Sequence, residues 1–98
     1  MEIKFLETTK GDFRWINKYY TDVFPEGREN YLENLRKTME SLSIFPTAGR
    51  KYFDCFKKQI IKTPFAFVYY IEDETICVVR IEDNRNILNS YSRNRQRS

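Results

Sequence analysis

The 98-residue chain contains no histidine. That excludes Ser-His-Asp and Cys-His catalysis, imidazole acid–base chemistry and the mixed Cys/His zinc spacings together. Cysteine occurs only as Cys55 and Cys77, 22 positions apart and with no C-x-x-C. Cys77 alternates with Val79 and Ile81 and reads as a buried free thiol. No metal site and no cofactor are expected. No apolar run approaches the 18 residues of a membrane span, and the opening MEIKFLETTKGDF lacks the apolar stretch of a signal peptide. The expected setting is therefore the cytoplasm, with no membrane partner.

What is present is aromatic and β-branched. Aromatic residues make up 16% of the chain, and they crowd into FKKQIIKTPFAFVYYIEDETICVVRIE, residues 56–82. Two apolar runs, Phe65–Ile71 and Thr75–Ile81, flank the polar Glu72-Asp73-Glu74, the pattern of a hairpin. Phe65, Phe67, Tyr69 and Ile71 share one face; Ala66, Val68 and Tyr70 share the other. A strand apolar on both faces belongs at the centre of a sheet. Ile60-Ile61, just before Pro64, is the third candidate strand, which gives a three-stranded antiparallel meander.

Upstream, Glu2–Leu6 reads as a short first strand at or near an edge. Thr9 and Asp12 have capping-box spacing. From there Phe13, Ile16, Tyr20 and Val23 recur on one helical face, with Trp15 and Tyr19 beside them. Pro25 stops that helix. In the second, Arg28, Leu32, Leu35, Met39 and Leu42 step by four and three, and Glu33 precedes Lys37 in the favourable i,i+4 order. Two helices so closely joined form an antiparallel αα-hairpin. Pro46 ends the second helix, Phe45–Arg50 is a turn, and Lys51–Phe56 a returning loop. The fold class is α+β: two layers, in the order β-α-α-β-β-β, as a single domain over residues 1–85.

Residues 86–98 form a basic tail. Ile87, Leu88 and Tyr91 are read as one helical turn docked on the body, and the last seven residues as disordered when free. The net charge is +3, yet Arg85, Arg93, Arg95 and Arg97 all fall after Asp83 with no acid among them. Residues 1–83 therefore sum to about −1, and the tail is the place to expect a polyanion or an acidic partner.

Tyr19-Tyr20, the Leu42-x-x-Phe45-Pro46-x-x-Gly49-Arg50 turn, Phe65–Tyr70 and Val78-Val79-Arg80-Ile81-x-x-x-Arg85, taken in this order, resemble the RelE/ParE superfamily of type II toxin–antitoxin toxins. The turn resembles the ParE-like branch. The resemblance implies a growth-inhibiting, plasmid-stabilising toxin that binds DNA gyrase, performs no chemistry and is neutralised by a cognate antitoxin. That antitoxin would lay a helix or strand over the helical hairpin or the Glu2–Leu6 edge. The alternative it implies is a RelE-like, ribosome-dependent mRNA endonuclease. In that reading Lys57, Arg85 and Tyr91 match the strand lysine and the C-terminal arginine and tyrosine, with Lys57, Lys58 or Tyr91 as acid or base, because arginine does not deprotonate. Ala66 stands where the nucleases carry a phosphate-gripping arginine, and Gln59 where they carry a second lysine. A third possibility is a non-toxic nucleic-acid-binding module.

The remaining candidates for target or antitoxin contact are Arg50, Lys58, Arg80, Arg93, Arg95 and Arg97. Arg50 either caps helix carbonyls, pairs with an acid, or meets a partner. Arg80 either pairs with Glu72 or Glu82 or lies on the open sheet face, where it joins Arg85 in a basic patch.

Overall fold

The computed structural model describes residues 1–85. In chain order the elements are β1 (Glu2–Phe5), α1 (Lys10–Lys18), α2 (Arg28–Ile44), β2 (Arg50–Tyr52), β3 (Cys55–Gln59), β4 (Phe65–Glu72) and β5 (Thr75–Asp83). The sheet has five strands in the order β1-β5-β4-β3-β2. β1 runs parallel to β5, and the other pairs are antiparallel. Both helices lie on one face, the expected two-layer α+β arrangement. β1 is at an edge, as its loose alternation suggested.

The sheet is larger than the expected meander. Lys51–Phe56 is not a loop: Arg50–Tyr52 pairs with Cys55–Gln59 as a hairpin. The third strand therefore precedes Ile60, which is fully buried just beyond it. These strands are short and carry Lys51, Lys57 and Lys58, the charged composition that blunts an edge and hides a strand from an apolar-run reading. The β4–β5 turn behaves as read. Asp73 and Glu74 have φ of 52° and 58°, the left-handed pair that a type I′ hairpin demands.

One irregularity decides which residues face outward. In β4–β5, Val68 pairs with Arg80 but Tyr69 pairs with Val78, so Val79 is an extra residue, a β-bulge. Side-chain direction alternates along a strand. Without the bulge, Arg80 would follow Ile76 and Val78 into the core. With it, Ile81 and Asp83 turn inward, while Arg80 and Glu82 point to the open face. Cys77 is then on the open face, opposite Tyr70, rather than in line with Ile81; it is nevertheless buried. The bulge sits where β1 ends. Leu6 N–H donates to the Val78 carbonyl, Thr8 Oγ1 to the Val79 carbonyl, and Ile81 N–H to Asp12 Oδ2 (2.9 Å). Asp12 and Thr9 therefore do not form a capping box; Thr9 Oγ1 donates back to the Leu6 carbonyl.

The core lies between sheet and hairpin: Ile16, Tyr20, Tyr31 and Leu42 from the helical layer against Phe65, Phe67, Tyr69, Ile76, Val78 and Ile81. Phe65 is its hub, edge-on to Trp15, Tyr19, Tyr20 and Tyr31 at 5.6–6.4 Å between ring centres. The α2 stripe is rotated from expectation, while that of α1 keeps Phe13, Ile16 and Tyr20 on the core and fails only at its end. A single π turn, Tyr19–Val23, follows α1 and puts an extra residue into the turn, so Val23 ends up 68% exposed. In α2 the fully buried positions are Tyr31, Thr38 and Leu42, while Leu35 and Met39 pack at the margin and Leu32 faces out. Thr38 holds its place through its hydroxyl, which donates to the Asn34 carbonyl (2.8 Å) and accepts from Ile61 N–H (3.1 Å). A count of apolar residues passes over such a position. No helix among the described residues is long and apolar enough to cross a membrane.

Candidate binding surfaces

The turn after α2 is held by one phenol. Tyr69, buried in β4, donates its O–H to the Pro46 carbonyl (2.7 Å) and accepts from Gly49 N–H (3.2 Å). A Cβ on Gly49 would sit 2.7 Å from Tyr69 Oη and 3.0 Å from the Lys57 carbonyl. The glycine is there because nothing larger fits beneath the strand. The turn delivers Arg50, exposed at the start of β2 and opposite Lys57. Among the described residues, Arg50 makes no ion pair or side-chain hydrogen bond.

The open face carries a polar cluster over small residues. Lys57, Val68 and Arg80 form one cross-strand row, and Gln59, Ala66 and Glu82 the next. Ala66 and Val68 are wholly shielded, although no secondary-structure element among the described residues covers this face. Longer neighbours roof them: Glu82 accepts from Lys57 Nζ (2.9 Å), Arg80 Nε (2.8 Å) and the Tyr52 hydroxyl (3.0 Å). The Lys57 ammonium also lies 4.6 Å from the Tyr52 ring centre. Burial by itself would raise the Glu82 carboxyl, but the hydrogen bonds from Lys57 and Arg80 outweigh it and hold it below the ordinary glutamate value. Tyr52 is pushed up, first by burial and then by its bond to the carboxylate. Lys57 keeps only 10% of its side-chain surface.

Arg85 is on the other side of the sheet. Asp83, opposite Phe65, faces the helices and grips Arg85 with both oxygens, at 3.0 Å from Nε and 2.8 Å from Nη2. The guanidinium stacks 4.6 Å over the Tyr19 ring and donates to its hydroxyl at 3.0 Å. The hydrogen bond to Asp83 raises its pKa still further. Lys58, opposite Phe67, also belongs to the helix-side face.

The expected patch joining Arg80 and Arg85 is therefore not formed: the bulge sends the two to opposite faces, and each has its own acid. The same separation keeps Lys57 away from Arg85. Tyr91, Arg93, Arg95 and Arg97 lie outside the described residues, as does the expected helical turn of Ile87, Leu88 and Tyr91. Sequence reasoning missed Tyr52 and Asp83. The signal for the latter was present, since Arg80-x-Glu82 and Asp83-x-Arg85 are same-face spacings on extended chain.

A second surface is apolar. Met1, Ile3, Leu32, Leu35 and Met39 line an open groove of about 460 Å³, rimmed by Arg36, Glu40 and Ser43. It runs along the outer edge of β1, whose backbone has no strand partner on that side among the described residues. Beyond the end of β1, the edge of β5 is closed by Thr8 and Asp12, so the free edge on this side of the sheet is β1 itself. The signal for the groove was the surplus of apolar residues on α2 over those the core can bury.

The described residues form a two-layer α+β body with an apolar groove beside the edge of β1. The chain belongs to the ParE toxin family: the family described as "ParE toxin of type II toxin-antitoxin system, parDE" matches residues 3–88. No curated protein matches the chain. Among solved structures, one titled "Chromosomal ParDE TA system from P. aeruginosa" superposes with a TM-score of 0.65 at 18% identity, covering 85% of this chain and 95% of that one. At that identity it supports the fold alone.

Proposed function

We propose that this ParE-family toxin acts by binding DNA gyrase, without chemistry of its own, and that a cognate antitoxin neutralises it. The observation that carries the choice of mechanism is the fate of Lys57 and Arg85. A nuclease needs a free acid–base group and cations converging on one phosphate. Here the lysine is tied to Glu82 under the open face, and the arginine is clamped by Asp83 and Tyr19 on the opposite face. Of the described candidates Arg50, Lys58 and Arg80, Arg50 is the one exposed beside the open face without an acid partner among the described residues; the tail arginines Arg93, Arg95 and Arg97 are proposed to add to it.

The antitoxin reading is supported by the apolar groove and the bare edge of β1. An amphipathic helix would fill the first, and an extended segment would add a strand to the second. Leu32 and Met39 are then anchors rather than core.

The test is a supercoiling assay with purified gyrase run beside translating ribosomes carrying labelled mRNA. Inhibition of supercoiling, weakened by Arg50→Ala, with intact mRNA, is the expected result. Codon-register cuts that disappear in Arg85→Ala would overturn the gyrase reading. The cytoplasm, where gyrase works, is the corresponding location.

A further inference from the structure

A cavity of about 370 Å³ opens between the start of α2 and the β3–β4 turn. It is separate from the open-face cluster and from the β1 groove. Tyr20 and Tyr31 stand in its wall, stacked at 4.5 Å between ring centres and only 4% and 2% exposed. Among the described residues neither phenol makes a hydrogen bond. Tyr69, equally shielded, makes two, so the contrast is not one of residue type. A buried hydroxyl without a partner costs free energy unless water or a ligand supplies one. Burial, with the neighbouring Tyr20 adding to it, pushes Tyr31 up to about 12, so its O–H stays a donor at neutral pH.

The remaining lining favours an anion. The first turn of α2 has no side-chain cap; a 3-10 turn leads into it and Arg28 N–H donates to the Pro25 carbonyl, and the helix dipole leaves that end partially positive. Asn30 and Asn34 add amide donors, and Lys37 and Lys62 stand at the rim. Glu33 is the one acid in the lining, and Arg36 already holds it. Lys37 also pairs with Glu33, at 3.9 Å, so among the described residues Lys62 is the lysine of the lining without an acid partner, and its single positive charge suits a monoanion better than a phosphate dianion. The aromatic wall of Tyr20, Tyr31 and Phe24 suits an apolar body behind it.

We propose that this cavity is a binding site for a carboxylate carried on a small apolar or aromatic group, with Tyr31, Asn30 and Asn34 as donors and Lys62 as the counter-charge. The carboxylate arrives either as a free small acid or as a side chain or terminus of a peptide.

The full-length protein, labelled with nitrogen-15, is titrated with millimolar benzoate and, separately, with benzamide, its uncharged counterpart. Benzoate is expected to shift the side-chain amides of Asn30 and Asn34 saturably, and benzamide to leave them in place. Tyr31→Phe, which keeps the ring and so the fold, weakens binding roughly tenfold. Lys62→Gln weakens it severalfold and removes most of its salt dependence. A glutamate-bearing peptide is the second arm: shifts with the peptide and not with benzoate assign the carboxylate to a protein partner, and the site stands. No shift with either ligand, equal shifts with benzamide, or unchanged benzoate affinity in Tyr31→Phe overturns the proposal. So does a Tyr31→Phe variant that melts higher while no carboxylate binds, since the cavity then holds water alone.

Discussion

Glu82→Gln is the substitution that separates a structural from a catalytic Lys57. The glutamine keeps the shape and the bond to Tyr52 but removes the charge, leaving the Lys57 ammonium, 10% exposed, without its counter-ion. Removing one partner of a fully buried pair costs about 3–5 kcal/mol. Glu82 retains 24% of its side-chain surface and Arg80 50%, so solvent screens part of the loss and about 2 kcal/mol is the working figure. For a domain of this size each kcal/mol moves Tm by about 4–8 °C, so melting followed by circular dichroism should fall by roughly 10–15 °C. Adding Lys57→Met removes the orphaned charge and leaves its stem over Val68, so the double variant should recover more than half of the loss. The pH dependence follows. Glu82 is depressed in the fold, so its contribution is complete above the ordinary glutamate value of about 4.3 and is lost as pH falls through the lower folded value. The wild type should lose this stability in acid; Glu82→Gln should not have it to lose. A Tm change under about 3 °C, or no coupling between the two sites, refutes the ion-pair account and frees Lys57 for another role.

Three further expectations follow from the geometry. Gly49→Ala must displace Tyr69 Oη or the strand backbone near Lys57, so it should destabilise by about 1–3 kcal/mol in urea unfolding and by more than Gly11→Ala, where nothing lies within 4 Å. Asp83→Asn releases an arginine that is already 44% exposed, so it should cost under about 1 kcal/mol while freeing the guanidinium, read as a small Tm change with altered near-ultraviolet signal from Tyr19. Leu32→Glu alters a residue that is 44% exposed, so the fold should stand while co-purification with the antitoxin is lost; retained co-purification would remove the groove from the antitoxin reading.

Much of the fold was legible in residues 56–82. Phe65–Ile71 is apolar on both faces because β4 is the middle strand, and Glu72-Asp73-Glu74 shows as a turn because it is the polar break between two apolar runs. The helices showed through their spacing, but the rotation of α2 did not. Thr38 earns burial through two hydrogen bonds, and the π turn at Tyr19–Val23 leaves no mark in a 3.6-residue period. The β2–β3 hairpin was missed because both strands are short and carry lysines, which mimic a loop; only β2 lies at the edge.

The candidate site was less legible, for a reason of parity. The amino-acid order alone determined that the chain holds acids and bases two apart near the end of β5, a glycine-bearing turn before the sheet, no histidine and only two cysteines. Only the tertiary structure decided which acid meets which base. The single extra residue at Val79, held by Thr8 and Asp12 from the far end of the chain, reverses the facing of everything after it. That puts Arg80 and Glu82 with Lys57, and Asp83 and Arg85 with Tyr19. A strand's two faces differ by one residue in register, and register is set by the partners across the sheet.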